Sequence, residues 1–545
     1  MMTGRFTRRS SILLAGTMLA ALTVAAPSMA ETPADTLIEA FAIDDIITMD
    51  PGEAFELSTA EVTSNTYDLL VRLDLADTSK VKADLAESWT VSDDGLTYTF
   101  KLKPGMKFAS GNPITAADVA YSFERVVKLN KSPAFILQQF GLTGENVTEK
   151  AKAGDDATFV LTVDKPYAPS FVLNCLTATV ASVVDSKLVK ENAKPTTPSD
   201  DYKFDNDFGN DWLKTNYAGS GRFKLREWRA NEVVVMERNE NYNGEKAKLA
   251  RVIYRHVKES ATQRLMLEKG DVDVARNLEP GDYEAVSKNA DMATLSAPKG
   301  TVYYISLNQK NADLAKPEVR EAFKYLVDYD AIGATLIKGI GEVRQTFLPK
   351  GVLGALEEKP YKLDVAKAKE LLEKAGLKDG FTTTMDVRST QPVTGVAESI
   401  QQTAGQAGIK IEIVPGDGKQ TLTKYRARTH DIYIGQWGQD YFDPNSNAET
   451  FTSNPNNADD SPNKTLAWRN AWDVPELTKE TAAALLERDS AKRAETYQKL
   501  QKAVLETSPF VIMWQQTEVA GYHKTVKDYM LGPSFDTNFV GQVSK

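Results

Sequence analysis

Between Phe381 and Pro444 the chain alternates strand and helix signals, and this alternation restricts the fold more than any other feature. Thr383 to Val387 reads as a strand, and Val396 to Ala407 as a helix that Gly408 stops. Ile409 to Val414 alternates apolar and polar residues as a second strand, Lys419 to Arg428 reads as a helix, and Asp431 to Gln436 as a third strand. Strands joined by helical connections of this kind form a parallel sheet with helices on its faces, so the fold class is α/β. Upstream, Asp364 as N-cap and Gly376 past the last turn bracket another helix, with Glu370 and Lys374 at i, i+4.

Size sets the next limit. At 545 residues the chain exceeds the roughly 250–300 residues at which one core stops growing, so two large lobes are expected. The N-terminus reads as an export signal rather than as fold. Thr7-Arg8-Arg9-Ser10-Ser11-Ile12-Leu13 matches the twin-arginine pattern, although the same arginines also suit the basic n-region of the general secretion route. The apolar run from Ile12 to Ala26 is short for a bilayer span of about 20 residues. Ser28-Met29-Ala30 then offers the small residues that a signal peptidase needs, which predicts a mature chain from Glu31. No cysteine near that point invites a lipid anchor, so a free periplasmic protein is expected. Removing Arg5, Arg8 and Arg9 takes the formal charge from −10 to −13, which argues against nucleic acid or anionic membranes as partners.

The inventory of reactive groups is thin. His256, His430 and His523 show no ligand spacing, and Asp205-Asn206-Asp207-Phe208-Gly209 departs from a calcium loop in the placement of its glycine and its twelfth residue. Neither a G-x-S-x-G elbow nor a phosphate-binding loop occurs. Cys175 is alone, so no intramolecular disulfide forms, and it reads as a small core residue. No catalytic residue, metal site or cofactor is therefore assigned. A binding constellation is easier to argue. Ligands of open α/β sheets sit at the carboxyl ends of strands, and two such ends here carry opposite charges. Arg388 follows the first strand, just ahead of a helix start near Thr394, and suits a carboxylate. Asp440 follows the third, between Trp437 and Tyr441, and suits an ammonium with cation–π help. Together they predict a site for a small zwitterion.

The 42-residue stretch from Asp84 to Arg125 reads as a short helix, a hairpin turning at Ser92-Asp93-Asp94-Gly95 with a strand over Leu96 to Leu102, and a second helix N-capped by Thr115. As a text it resembles the signature of the family 5 extracellular solute-binding proteins, which serve ABC importers. Met49-Asp50-Pro51, Tyr67-Asp68-Leu69-Leu70-Val71, Gly219-Ser220-Gly221-Arg222-Phe223 with Trp228, and Tyr304-Ile305-Ser306-Leu307-Asn308 followed by Val319-Arg320-Glu321-Ala322-Phe323 resemble further motifs of that family.

The resemblance implies a two-lobe periplasmic binding protein of type II, with an extra subdomain in lobe one and a hinge between lobes. Lobe one would comprise 31–300, with 70–190 as its extra subdomain, and 516–545; lobe two would comprise 301–515. The crossings near Gly300-Thr301-Val302-Tyr303 and Trp514-Gln515-Gln516-Thr517 would be the hinges. Arg388 and Asp440, 52 residues apart, match the carboxylate and ammonium partners of the dipeptide-binding members. The segment Ser389-Thr390-Gln391-Pro392 departs from their pattern and leaves the side-chain preference open. The expectation is a non-enzymatic monomer that binds a di- or oligopeptide and delivers it to an inner-membrane permease and its ATPase. A non-peptide solute (an opine, oligosaccharide or metal chelate) is the alternative, and a periplasmic hydrolase is the rival from another class.

Overall fold

The computed structural model describes residues 32–200, 202–461 and 464–545, so the export segment expected over 1–30 lies outside it. The signature segment folds around a hairpin whose turn is closed by the Gly95 N–H donating to the Ser92 carbonyl at 2.8 Å. Thr97–Leu102 is a strand as expected, but the stretch before the turn is a strand too, Ala86–Val91, and not a short helix. It pairs antiparallel along the hairpin, Val91 opposite Tyr98 and Trp89 opposite Phe100, and this cross-strand pairing overrides its weak local helix preference. Thr158–Thr162 and Ala151–Asp155 complete a four-stranded sheet.

The helix Ala116–Leu129 begins with a capping box, in which the Thr115 N–H donates to the Asp118 carboxylate at 2.8 Å. It lays Val119, Phe123 and Val126 on that sheet, with the Phe123 and Phe159 rings 5.1 Å apart. The resulting core runs from Leu69 to Val183, includes Cys175, and takes one residue from far along the chain, Tyr441. Arg125, the last residue of the signature, closes a two-pronged ion pair on Asp50 of the opening motif at 2.7 and 2.6 Å, fully buried. Those two motifs are therefore one structural joint.

An eleven-stranded sheet runs through the rest of the molecule. Two long antiparallel strands, Met292–Leu307 and Phe510–His523, form its middle. Their halves belong to different surroundings. Met292 to Pro298 pairs with Thr517 to His523, which is flanked by Val274–Arg276, Thr36–Phe41 and Arg251–His256. Val302 to Leu307 is flanked by Ile432–Trp437, the edge of the βαβαβ unit. Between the halves the register slips: Pro298 faces Thr517 but Val302 faces Gln515, so Lys299-Gly300-Thr301 bulges out opposite Gln516. Gly300 lets the Gln439 side chain lie close against the bulge, where a Cβ would stand 2.6 Å from its amide oxygen and push it aside. Separate cores lie on the two halves, one around Ile305, Phe323, Ile400 and Ile434, the other around Leu37, Tyr254 and Val540.

Candidate ligand-binding site

The three strands of the βαβαβ unit are parallel, with Phe381–Arg388 in the middle, Ile409–Gly416 on one side and Ile432–Trp437 on the other. The chain leaves the middle strand in one direction and returns past it in the other, which places a topological switch point between the ends of the first and third strands. The helix Val393–Gln406 covers one face by burying Val396, Ala397, Ile400 and Ala404. The helix Gly418–Arg426 starts on an Asp417 cap, whose carboxylate accepts from the Gln420 N–H at 2.7 Å.

Arg388 closes the middle strand and is exposed. Its guanidinium lies flat over Gly418, where a Cβ would come within 2.7 Å of Nη2. It forms no ion pair among the described residues, and it is not among the residues that line the cavity described next.

That cavity, of about 450 Å³, lies between the Gln436–Phe442 turn on one side and Ala54–Leu57, Leu69 and Leu73 on the other, with Lys299–Thr301 and Ser534–Phe539 beside them. Trp437, Asp440 and Tyr441 line it. The Asp440 N–H donates to Ser446 Oγ at 2.9 Å, which fixes the turn. Its carboxylate meets no cation and accepts no hydrogen bond among the described residues. Burial pushes its pKa up to about 7, with the nearby Glu449 carboxylate adding to the effect. Glu449 is itself pushed up by burial. A carboxyl shifted in this way is a candidate functional group.

Trp437 ends its strand opposite Val302, half-buried, with its indole N–H enclosed and unpartnered among the described residues. Tyr441 lines the cavity and is also anchored in the core. It is 5% exposed, its ring meets Phe171 edge-on at 5.9 Å, and its hydroxyl lies 3.2 Å from both Gln139 Oε1 and Asn445 Nδ2. It pins the turn into the core around the signature hairpin.

Three cations line the cavity: Arg72, Lys299 and Arg426. None was legible from sequence as a site residue. Arg72 pairs with Asp84 at 2.7 Å and Asp68 at 3.2 Å. Lys299, almost fully buried, pairs with Glu518 at 2.6 Å. Arg426, in the last turn of its helix, is exposed and has no hydrogen-bond acceptor among the described residues. Among the described residues no cluster of three or more potential metal ligands occurs.

A profile of the bacterial extracellular solute-binding proteins, family 5 (middle region), matches residues 80–459. The chain belongs to this family. The family 5 protein is similar along nearly its whole length to the probable D,D-dipeptide-binding periplasmic protein DdpA of Escherichia coli (strain K12), at 28% identity over 515 residues and 94% of each chain. It is also similar to the glutathione-binding protein GsiB of the same strain, at 26% over 510 residues, 92% of this chain and 94% of that one. Among solved structures, the ABC transporter-associated periplasmic binding protein DppA from Helicobacter pylori, in complex with the peptide STSA, superposes with a TM-score of 0.77. It is 25% identical and the match covers 93% of this chain and 98% of that one. The α/β fold is thus that of the two-lobe periplasmic binding proteins, and the protein is a solute-binding component rather than a member of an enzyme family.

Proposed function

We propose that this family 5 protein is the periplasmic receptor of an ABC importer, closing two lobes on a peptide-like solute and delivering it to an inner-membrane permease. The observation that carries this reading is Asp440 at the cavity wall beside Trp437, a carboxylate that meets no cation and accepts no hydrogen bond among the described residues. A peptide ammonium is a cation of the right size, and the Trp437 ring beside it adds cation–π attraction. The peptide complex of the DppA relative and the dipeptide in the name of DdpA support the same solute class. In this reading residues 31–300 and 516–545 form lobe one, 301–515 form lobe two, and the bulge Lys299-Gly300-Thr301 facing Gln516 is the hinge. The protein acts as a monomer, exported by the signal over 1–30 with cleavage at Ala30.

The test is a thermal-shift screen of di- to pentapeptides, followed by solution scattering. A ligand at a hundredfold excess over Kd stabilises the native state by roughly 2.7 kcal/mol. A subset of peptides should raise Tm and shrink the radius of gyration. Opines or oligosaccharides shifting Tm with no peptide doing so would reject the peptide reading; release of a cleaved peptide would reject the receptor role.

A further inference from the structure

The C-terminal tail that walls one side of the cavity is tied to a cluster of charges shielded from solvent. Asn538 donates to Oε2 of Glu61 at 3.0 Å and to Oε2 of Glu518 at 3.2 Å. Arg276, the last residue of Val274–Arg276, stands at the centre of the cluster. Its Nη1 and Nη2 meet the two oxygens of Glu61, on the helix Leu57–Thr66, at 2.5 and 2.8 Å. Its Nε and Nη2 meet Oε1 of Glu518 at 3.1 and 2.5 Å, and Oε2 of Glu518 pairs with Lys299 at 2.6 Å. Glu39, on Thr36–Phe41, is held least well. Its Oε2 lies 3.4 Å from Arg276 Nη1 and accepts from the Tyr529 hydroxyl at 2.9 Å, while its Oε1 has no partner among the described residues. None of these five charged residues is more than 1% exposed.

Three carboxylates thus face two cations. With every acid ionised, the cluster would carry one uncompensated negative charge in the interior, which is costly. The neighbours do not supply a positive one. Opposite Glu39 on Arg251–His256 stands Tyr254, a neutral phenol whose hydroxyl has no partner among the described residues. Asp536, the next acid in reach of Lys299, adds negative charge, and Arg72 beyond it is engaged with Asp68 and Asp84. A buried acid in such surroundings neutralises itself by keeping a proton. Glu518 is flanked by both cations and Glu61 takes two prongs from Arg276, so each is well held as an anion. Glu39 is not. Burial pushes its pKa up to about 8, with Arg276 pulling against the shift and the Glu61 charge adding to it.

We propose that Glu39 is kept as a carboxylic acid, with its proton on Oε1, and that it acts as a positioning residue whose proton keeps the cluster neutral and the tail docked. When the proton leaves to solvent, the excess charge returns, and the tail contacts of Tyr529 and Asn538 are the ones that give way. Lys299 and Ser534–Phe539 line the cavity, so alkali loosens that wall. The sign follows from a folded pKa above the ordinary glutamate value of 4.5. The acid's contribution to stability is complete below about 4.5 and is lost as pH rises toward 8. None of this depends on which solute the cavity takes.

The experiment compares the exported protein as wild type, Glu39→Gln, Glu61→Gln and Tyr529→Phe. In infrared difference spectra at pH 6, Glu39→Gln should lack a carboxylic-acid C=O band that the wild type and Glu61→Gln retain. Glu39→Gln imitates the protonated acid. Its Tm should therefore match the wild type near pH 4, exceed it increasingly up to about pH 8, and keep a constant lead beyond. Trypsin should cut after Lys524 and Lys527 several-fold faster in the wild type than in Glu39→Gln at pH 9, and equally fast at pH 6. Tyr529→Phe removes a hydrogen bond that favours the ionised form, so its band should survive to higher pH than in the wild type, a readout that holds even if Glu39→Gln fails to fold. A band that persists in Glu39→Gln and vanishes in Glu61→Gln, or one that Tyr529→Phe leaves unmoved, overturns the assignment of the proton. A Tm difference that does not vary with pH does the same. Equal cleavage of the two proteins at pH 9 overturns the positioning role.

Discussion

The guanidinium of Arg493 grips the Asp443 carboxylate on two prongs, 2.7 Å each, three residues from an Asp440 whose carboxylate has no partner among the described residues. Both partners of the pair are 1% exposed. Asp443 also caps the helix Pro444–Thr452 by accepting from the Asn445 N–H at 2.9 Å. The two aspartates of one short turn are thus divided between holding the turn and presenting a charge. Arg493 comes from the helix Ser490–Thr507, so the turn's position is set by a distant part of the chain.

Arg493→Met should therefore be costly. Removing one partner of a buried pair strands the other charge, at about 3–5 kcal/mol. Tm should fall by several degrees, and affinity for any solute held at Asp440 should fall with it because the turn loosens. Unchanged thermal unfolding would mean that Asp443 finds water or another donor.

Lys299 at the bulge ties four acceptors together: Glu518, the Gly532 and Ser534 carbonyls and Asn538 Oδ1. Lys299→Met leaves these buried groups without that donor, and each unsatisfied one costs about 1–3 kcal/mol. The segment Gly532 to Asn538 should then detach more often, so limited proteolysis should cut there faster than in the wild type. Equal cleavage rates would show that the tail is held by its other contacts.

Much of this was legible because strands and turns write local patterns. The three strands of the βαβαβ unit and the Thr115 cap lie where periodicity and capping chemistry put them. Asp440 drew attention as a candidate because it stands three residues past a strand end. The rest needed distances between remote residues. Ala86–Val91 is a strand only because the hairpin pairs with it. Tyr441 reads in sequence as a cavity aromatic, and it does line the cavity, but its tie to Gln139, 302 positions away, could not be read locally. Arg426 reads as an ordinary helix-end cation, and nothing local says which cations face the cavity or which are already paired. The spatial order of the three strands, middle one first, was equally invisible to an alternation that fixes only their succession.

The Arg8-Arg9 pair predicts a route as well as a destination. Arg8→Lys with Arg9→Lys keeps the basic charge and removes the twin-arginine pattern. Precursor should accumulate in the cytoplasm, read by blotting of fractionated cells. Undiminished periplasmic yield would assign export to the general secretion route.

Asp440 gives the protein a pH signature. Its carboxyl titrates at about 7 in the empty cavity, far above the ordinary aspartate value of 3.8, because burial disfavours the charged form. An ammonium binds the ionised form, so affinity for free peptides should improve as pH rises from 5 to 7, by roughly tenfold per unit, since binding in this range carries one proton off the carboxyl. It should level off above 7 and weaken only as the peptide amine loses its own proton, near 7.7–8.0 in solution. In Asp440→Asn the acid limb should vanish along with most of the affinity. The empty protein responds in the opposite sense. A raised acid pKa contributes stability that is fully present below the unfolded value and is lost as pH rises through the folded one, here from about 4 to about 7. Empty Asp440→Asn should consequently melt higher than the wild type at pH 8, and the gap should close by pH 4, where the wild-type carboxyl is protonated. Calorimetric titrations and melts across pH 4–8.5 measure both. A flat affinity profile together with identical melts at pH 8 would show that Asp440 is an ordinary solvated carboxylate and that the solute's cation, if it has one, is held elsewhere.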